Sequence, residues 1–381
     1  VFLTGATGFV GMELLARYLE RTDRPVYALV RASDDRQAAA RLERTVRGLF
    51  GADHPYAHRA VAVRGDLTTP HLGLDGRHEP LAEQVSEIVH SGATVSFSQR
   101  LGTARAINVD GTRRVLELAE RCAQRGGLRR LSHISTAYIS GAHRGSFGED
   151  DLHLGQQFHN SYEQSKFEAE RLVARARGRL PTTVVRPSIV VGERHTGWTS
   201  SFNVLYWPLR LLASGAYYPA VPGRPHAPVD VVPVDYVADA IFALSGTPEA
   251  EGGTYHLTAG ADTSTVGEVL ELAATRFRRR APRVIAPSVY RRVLHPLLTR
   301  ASRGGPYQRV LERAELYFPY LAMGAVYDDR RARVTLRTAG IGPSPLHRYF
   351  DRLVDFAVAA EWGRRPIPRA SLAAGSIGGE R

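Results

Sequence analysis

The sequence predicts an α/β fold: a doubly wound parallel sheet with a smaller, mainly helical C-terminal lobe. Three observations predict it. A short apolar run, Val1 to Leu3, leads directly into Thr4-Gly5-Ala6-Thr7-Gly8-Phe9-Val10-Gly11, and a helical pattern follows. Strand-length apolar runs and helix-length amphipathic runs then keep alternating, which is the pattern of parallel strands joined by crossover helices. The residues that close the strand runs are Gly5, Arg31, Asp66, Ser91, Thr136 and Pro187. In such a sheet they share one rim, beyond the carboxyl ends of the strands, where ligands bind.

The first element is the strand at residues 1–3 with its glycine turn, Gly-x-x-Gly-x-x-Gly over 5–11. The glycines allow a tight turn, let a diphosphate approach the backbone amides and let helix pack on strand, while the helix N-terminus supplies positive potential. After the helical pattern at 12–19, the run Val26–Val30 reads as the second strand. About 20 residues beyond the glycines, an acid would bind the ribose 2′-hydroxyl of NAD, whereas an arginine accommodates the 2′-phosphate of NADP. Arg31 stands there, so the expected cofactor is NADPH (NADP+), with Asp34 and Asp35 nearby as the counter-argument. Strand runs follow at 60–63, leading into Arg64-Gly65-Asp66-Leu67, and at 87–90, 131–134 and 182–185, with helical runs at 105–125 and 162–176. No internal repeat interrupts them.

The chain has 381 residues, 43% of them apolar, enough for one large domain and a smaller lobe. The pattern places the nucleotide-binding domain at 1–190 with 229–248 and the substrate lobe at 191–228 with 249–363. Residues 364–381, rich in Pro, Gly, Ser and Ala, read as a disordered tail. With no run of ~20 apolar residues and no charged-then-apolar leader, the expectation is a soluble, cytoplasmic protein. Cys122 is the one cysteine, which excludes an internal disulfide and a cysteine-ligated zinc site; no metal site is expected. The net charge of +12 favours acidic partners: a phosphate-bearing cofactor, an acidic protein or an anionic membrane face.

Of fifty lysine and arginine residues only one is lysine, Lys166, at the end of Tyr162-Glu163-Gln164-Ser165-Lys166. Arginine occupies every other basic position, so position 166 calls for a compact point charge that a planar guanidinium cannot replace. On a helix the i, i+4 spacing puts the Tyr162 phenol and the Lys166 ammonium on one face. The ammonium is then expected to stabilise a phenolate and lower a pKa that starts near ~10.

GATGFVG (5–11), LVRA (29–32), GDLTTPHLGL (65–74), NVDGT (108–112), HISTAYISG (133–141), YEQSK (162–166), RPSIVVG (186–192) and VDVVPVDYVADAI (229–241) occur in this order. Together they resemble the extended short-chain dehydrogenase/reductase superfamily, and within it the fatty acyl-CoA reductase and carrier-protein thioester reductase group, often called male-sterility-type reductases. The resemblance implies a Rossmann domain that holds the cofactor through Gly5, Thr7, Gly8, Phe9, Val10, Gly11, Arg31, Asp66, Leu67, Ser91, Lys166 and Pro187, with Asp66 at the adenine. It implies Thr136, Tyr162 and Lys166 as the catalytic residues, Ser135 being the lesser substitute for Thr136. Asn108 is implied as an orienting residue, against the plain alternative of local bonding, and Arg186 either reaches the cofactor or braces its strand. The implied reaction takes an acyl thioester, on CoA or an acyl carrier protein, to the aldehyde; whether a second hydride takes it on to the alcohol is left open by the sequence.

Beyond Gly192 the chain is rich in aromatics: Trp198, Phe202, Tyr206, Trp207, Tyr217 and Tyr218. They suit an apolar pocket wall or a small core. From Arg276 to Arg313 there are eleven arginines and one acid, Glu312, read as a solvated basic face, a dock for an acidic carrier, or a site of peripheral adsorption to anionic lipid; no nucleic-acid reader motif accompanies them. Val289 to Leu298 has helical spacing that Pro296 should kink or end. A helix is expected over 346–360. The chain starts at its first strand with valine and carries no adenylation or carrier unit, so the expectation is a free-standing reductase acting on a thioester delivered in trans, either missing a residue or more at its N-terminus or an excised unit. The competing readings are a dehydrogenase or epimerase of a steroid-like alcohol or nucleotide sugar, and a non-enzymic dinucleotide sensor.

Overall fold

The computed structural model describes residues 1–125, 127–202, 204–215, 220–302 and 315–373. Its centre is a seven-stranded sheet built from β1 (Phe2–Thr4), β2 (Val26–Val30), β3 (Ala60–Arg64), β4 (Glu87–His90), β5 (Arg130–Ile134), β7 (Thr182–Pro187) and a last strand, Thr254–Leu257. β6 (Arg144–Phe147) and β8 (Ile189–Val191) lie outside it, in two-stranded pairings. Across the main sheet the order is Thr254–Leu257, β7, β5, β4, β1, β2, β3, and every neighbouring pair is parallel.

Alternation along the strands divides the core in two, because successive side chains point to opposite faces. Leu3 and Val89 join the cluster formed with α1 (Phe9–Arg21) and α2 (Asp35–Phe50). Phe2 and Ile88 join the opposite cluster, with α3 (His78–Gln84) and α4 (Leu101–Arg125). α5 (Ser161–Ala176) packs beside α4. The strand reversal between β1 and β4 opens the crevice at the carboxyl ends.

The smaller lobe includes α6 (Tyr206–Ser214) and α8 (Val266–Phe277), whereas α7 (Val234–Gly246) returns to pack on α1. Four expectations need correction. Thr254–Leu257 lies inside 249–363, yet it is the edge strand of the main sheet, paired with β7; a four-residue strand that includes His256 carries little periodic signal. Pro296 does not end its helix: the backbone stays helical from Pro287 to Ser302, with a wider π turn at Tyr290–Leu294 just before the proline, one way a helix absorbs a local irregularity. The helix expected over 346–360 splits into a 3-10 turn, Leu346–Arg348, and the helix Phe350–Ala359.

The tail is ordered as far as it is described. The Trp198 indole donates to the Ile367 carbonyl at 3.0 Å, Ile367 and Leu372 pack on a cluster with Ala16, Leu49 and Phe356, and Arg369 pairs with buried Glu13 at 3.3 Å. Two apolar anchors outweigh the turn-rich composition around them. Residues 374–381 of the expected tail, together with Tyr217, Tyr218, Arg303, Arg309, Glu312 and Arg313, lie outside the described residues.

Candidate active site

The crevice begins at the glycine turn. Gly5 has a φ of +77°, and a Cβ there would come within 2.7 Å of the Gly92 nitrogen. A Cβ on Gly11 would lie 2.0 Å from the Gly5 carbonyl oxygen, so turn and helix touch backbone to backbone. α1 starts at Gly8 with no capping side chain and no acid in its first turn. Its leading amides therefore face outward with the positive end of the helix dipole behind them. An uncapped helix start behind a side-chain-free turn fits the diphosphate of a dinucleotide. Phe9 and Val10 open that first turn, and Thr7 faces a neighbouring cavity of about 300 Å³ lined also by Met12, Arg41, Arg44 and Trp198.

The other expected cofactor residues fall along the same rim. Arg31 follows β2, and its exposed guanidinium has no hydrogen-bond or ion-pair partner among the described residues. The two acids beside it are engaged elsewhere. Asp34 caps α2 by accepting from the Gln37 amide at 2.7 Å, which, with Ser33, holds its carboxyl below the ordinary value. Asp35 pairs with Arg77 at 3.0 Å and Arg64 at 3.3 Å. Half-buried Asp66 accepts from the amide and hydroxyl of Thr68, both at 2.8 Å. Leu67 packs on the backbone of Gly92 and Gly111. Ser91 ends β4 against Gly5, and Pro187 ends β7.

Beneath this rim a buried relay sets the β4 end. The Thr112 hydroxyl donates to the Asn108 carbonyl at 2.6 Å, so it accepts from His90 Nε2 at 2.9 Å. His90 Nδ1 then accepts from the Thr4 hydroxyl at 2.7 Å, and Thr4 Oγ1 accepts the Gly92 amide at 2.9 Å. The relay needs a neutral imidazole, and burial, assisted by the nearby Lys166 charge, pulls His90 down to about 3.

Thr136 lies beside Tyr162, and Lys166 follows one turn further along α5. Thr136 is buried at the end of β5; its hydroxyl donates to the Pro187 carbonyl at 3.3 Å, accepts the Tyr138 amide at 3.3 Å, and lies near enough to Tyr162 to draw the phenol pKa down. The Ser135 hydroxyl beside it is buried with no partner among the described residues, so Thr136 is the hydroxyl the fold brings to the tyrosine. Lys166 is buried, and its Nζ donates to the Ile134 carbonyl at 2.6 Å. The electrostatics differ from the expectation. Burial pushes Tyr162 up to about 12, Thr136 opposes that and Glu163 adds to it. Lys166 itself is pulled down to about 8 by burial, with Glu170 opposing. The ammonium is held on a strand carbonyl, and burial, not its charge, sets the pKa of the phenol it was expected to acidify.

Two weighed residues resolve as braces. Asn108 Nδ2 donates to Ser165 Oγ at 2.9 Å and to the Thr94 carbonyl at 3.1 Å, while its Oδ1 accepts the Thr94 amide at 2.8 Å. It thus ties α5 to the loop after β4, a long-range role rather than a local one. Arg186 turns away from the crevice into a buried ion pair with Glu170 at 2.6 Å, and also reaches the Asp151 carbonyl at 2.7 Å.

An apolar cavity of about 160 Å³ in the smaller lobe is lined by residues including Tyr138, Ile189, Trp207, Leu212, Val269, Tyr317 and Tyr320. Of the aromatics expected as its wall, Trp207 lines it, whereas Trp198, Phe202 and Tyr206 pack in the core. The ring of Phe97 links cavity and site: its centroid lies 5.8 Å from that of Tyr162, 5.8 Å from Tyr317 and 5.2 Å from Tyr320. Sequence reasoning missed Phe97, Tyr138 and Tyr320, because none stands in a spacing that points to a site.

The profile of the family described as Male sterility protein matches residues 3–241. A linear gramicidin synthase of Brevibacillus parabrevis is 33% identical over 262 residues, covering 67% of this chain and 5% of that protein. The isonitrile lipopeptide synthase of Streptomyces coeruleorubidus is 36% identical over 250 residues, covering 64% of this chain and 16% of that protein. The chain therefore spans a small part of the length of the curated relatives it matches. Among solved structures, the terminal R domain from the myxalamid PKS-NRPS biosynthetic pathway superposes with a TM-score of 0.81 at 29% identity, over 96% of this chain and 92% of that one. Glycine turn, parallel sheet and profile agree: the chain belongs to the male sterility protein family, among reductases of the extended short-chain dehydrogenase/reductase type.

Proposed function

We propose that the chain is an NADPH-dependent reductase that releases an acyl group, held as a thioester on the phosphopantetheine arm of a carrier protein, as its aldehyde. The observation that carries this reading is Tyr162 with Thr136 beside it, linked through the Phe97 ring to the wall of an apolar cavity, together with a glycine turn suited to a dinucleotide. Likeness to a terminal reductase domain of a peptide-synthesis pathway supports a carrier as the thiol in preference to free CoA. It also favours thioester reduction over alcohol or sugar chemistry.

In this reading the helix start at 8–11 holds the diphosphate, and Arg31 holds the 2′-phosphate. Among the described residues the Arg31 guanidinium has no partner, while Asp34 and Asp35 are engaged. Bound in this way, NADPH supplies a hydride to the thioester carbonyl carbon. Negative charge then grows on the carbonyl oxygen, and the fixed hydroxyls of Thr136 and Tyr162 stabilise it where it develops. Tyr162 delivers the proton as general acid; with its pKa pushed up to about 12 it stays protonated at neutral pH. Lys166 holds the nicotinamide ribose and keeps a positive charge behind Tyr162. Loss of the thiol from the resulting hemithioacetal yields the aldehyde, and the apolar cavity keeps the acyl body out of water.

The test is the purified protein with NADPH and acyl-pantetheine or carrier-bound thioesters, following nicotinamide absorbance and free thiol together. One thiol released per NADPH oxidised is the expected result. Oxidation without thiol, or turnover of a nucleotide sugar or sterol in place of thioesters, overturns the proposal.

A further inference from the structure

Tyr162 stands near the start of α5, between two residues that a single hydroxyl from the smaller lobe holds. Tyr320, in the 3-10 turn Phe318–Ala322, is buried. Its hydroxyl donates to Glu163 Oε1 at 2.5 Å and accepts from Asn160 Nδ2 at 2.7 Å. Asn160 is the N-cap of α5, its Oδ1 accepting the Glu163 amide at 3.0 Å. Glu163 is wholly buried, and its second oxygen takes the backbone amide of His159 at 2.8 Å and the ring Nδ1 at 3.1 Å. A buried carboxylate is costly unless its oxygens are satisfied, so this set of bonds ties the first turn of α5 to Tyr320.

The Tyr320 ring faces the other way. It lines the apolar cavity, stacks on Phe97, and meets the Tyr138 ring edge-on with centroids 5.3 Å apart. Phe97 contacts Tyr162, and Tyr138 stands two residues after Thr136. One side chain thus touches the cavity, both flanks of the tyrosine, and the neighbours of both hydroxyls.

We infer that Tyr320 is a positioning residue: an acyl group that fills the cavity seats the Tyr320 ring, and through Asn160 and Glu163 its hydroxyl fixes the helix turn that carries Tyr162. The inference rests on the reading that the cavity takes the acyl group. Its consequence is a dependence of kcat on chain length, because only a chain long enough to fill the cavity presses on the ring.

Tyr320→Phe keeps the ring and removes the hydroxyl. On a series from acetyl- to octanoyl-pantetheine, wild-type kcat rises with length, and in Tyr320→Phe that rise is lost, at a cost of about tenfold on the octanoyl substrate, the size expected of a misplaced catalytic group. KM and NADPH affinity stay near wild type, while the melting temperature falls because buried Glu163 loses a partner. Glu163→Gln, which keeps an acceptor for Tyr320, retains the length dependence, and Tyr320→Phe combined with Glu163→Ala is no worse than Glu163→Ala alone. A Tyr320→Phe profile parallel to wild type at every length, or a uniform loss that follows melting temperature, overturns the inference. An arm that needs no turnover uses the unreactive amide analogue of octanoyl-pantetheine and hydrogen exchange at 161–166: protection rises in wild type and not in Tyr320→Phe. If wild type releases no thiol from any thioester, the proposed function fails, and this exchange arm still decides the clamp.

Discussion

At the residue scale the unusual feature is a lysine that the fold makes expensive. Lys166 is drawn from its ordinary 10.5 to about 8 by burial, with one carbonyl as its hydrogen-bond partner. The unfolded chain therefore binds the proton more tightly between those two values, so the stability conferred through this residue rises as pH climbs from about 8 toward 10.5. At pH 7 the folded state bears a penalty of ~3 kcal/mol. Lys166→Met should raise stability in urea at pH 7 while abolishing turnover, and a Met variant as active as wild type would remove Lys166 from the chemistry. Lys166→Arg should also be inactive, since a wider planar guanidinium cannot put its charge where the buried ammonium sits on the Ile134 carbonyl. Turnover should fall as pH rises through about 8, the limb belonging to Lys166 because Tyr162 titrates near 12. Tyr162→Phe should lose ~10²–10⁴ in kcat with NADPH affinity unchanged. Arg31→Asp should weaken NADPH by ~10–100-fold, the worth of a charge-assisted hydrogen bond, and leave NADH nearly unaffected, as measured by nicotinamide fluorescence titration.

At the scale of elements, what could be read from the sequence was whatever periodicity or backbone geometry imposes. Gly5 and Gly11 were legible because no other residue fits beneath Gly92 or against the Gly5 carbonyl. The strand at Val26–Val30 was legible because buried parallel strands are continuous apolar runs. That Thr136 stands on the rim was legible because it closes β5; its pairing with Tyr162 came from the family resemblance, since Tyr162 stands on helix α5. The Tyr320 contact to Glu163 could not be read, since it joins residues 157 apart through a polar group that sequence alone would place at the surface. Nor could the Arg186 pairing, because any arginine near a rim in an arginine-rich chain looks like a cofactor ligand. That buried pair, both side chains 1% exposed, carries its own prediction. Glu170→Ala leaves a guanidinium buried without its counter-ion, and should cost about 3–5 kcal/mol in equilibrium unfolding. The same substitution removes the charge that opposes the fall in Lys166, so the alkaline limb of any remaining activity should move to lower pH. Paired with Arg186→Met, the stability loss should shrink, which distinguishes an unpaired charge from a cavity.

At the scale of the whole molecule, charge and shape together bear on how substrate arrives. The chain carries a net charge of +12, and among the described residues the helix Pro287–Ser302 exposes Val289, Val293 and Leu297 at four-residue spacing, beside Arg291 and Arg292. Tyr290 on the same helix packs edge-on against Phe318, which lines the apolar cavity. Not every arginine of the basic segment is available, for Arg276 pairs with Asp355 and Asp351. If a carrier protein with an acidic face brings the thioester, long-range attraction speeds its encounter and salt weakens that attraction; a small pantetheine thioester lacks this field-driven term. Raising NaCl from ~50 to ~300 mM should therefore lower kcat/KM for a carrier-bound substrate by about tenfold and leave the value for the matching acyl-pantetheine nearly level. Arg291→Glu with Arg292→Glu should reproduce the salt effect at low ionic strength for the carrier substrate alone. Equal salt sensitivity of both substrates would place the effect in NADPH binding instead, where the 2′-phosphate and Arg31 meet, and the Arg31→Asp enzyme would then lose it.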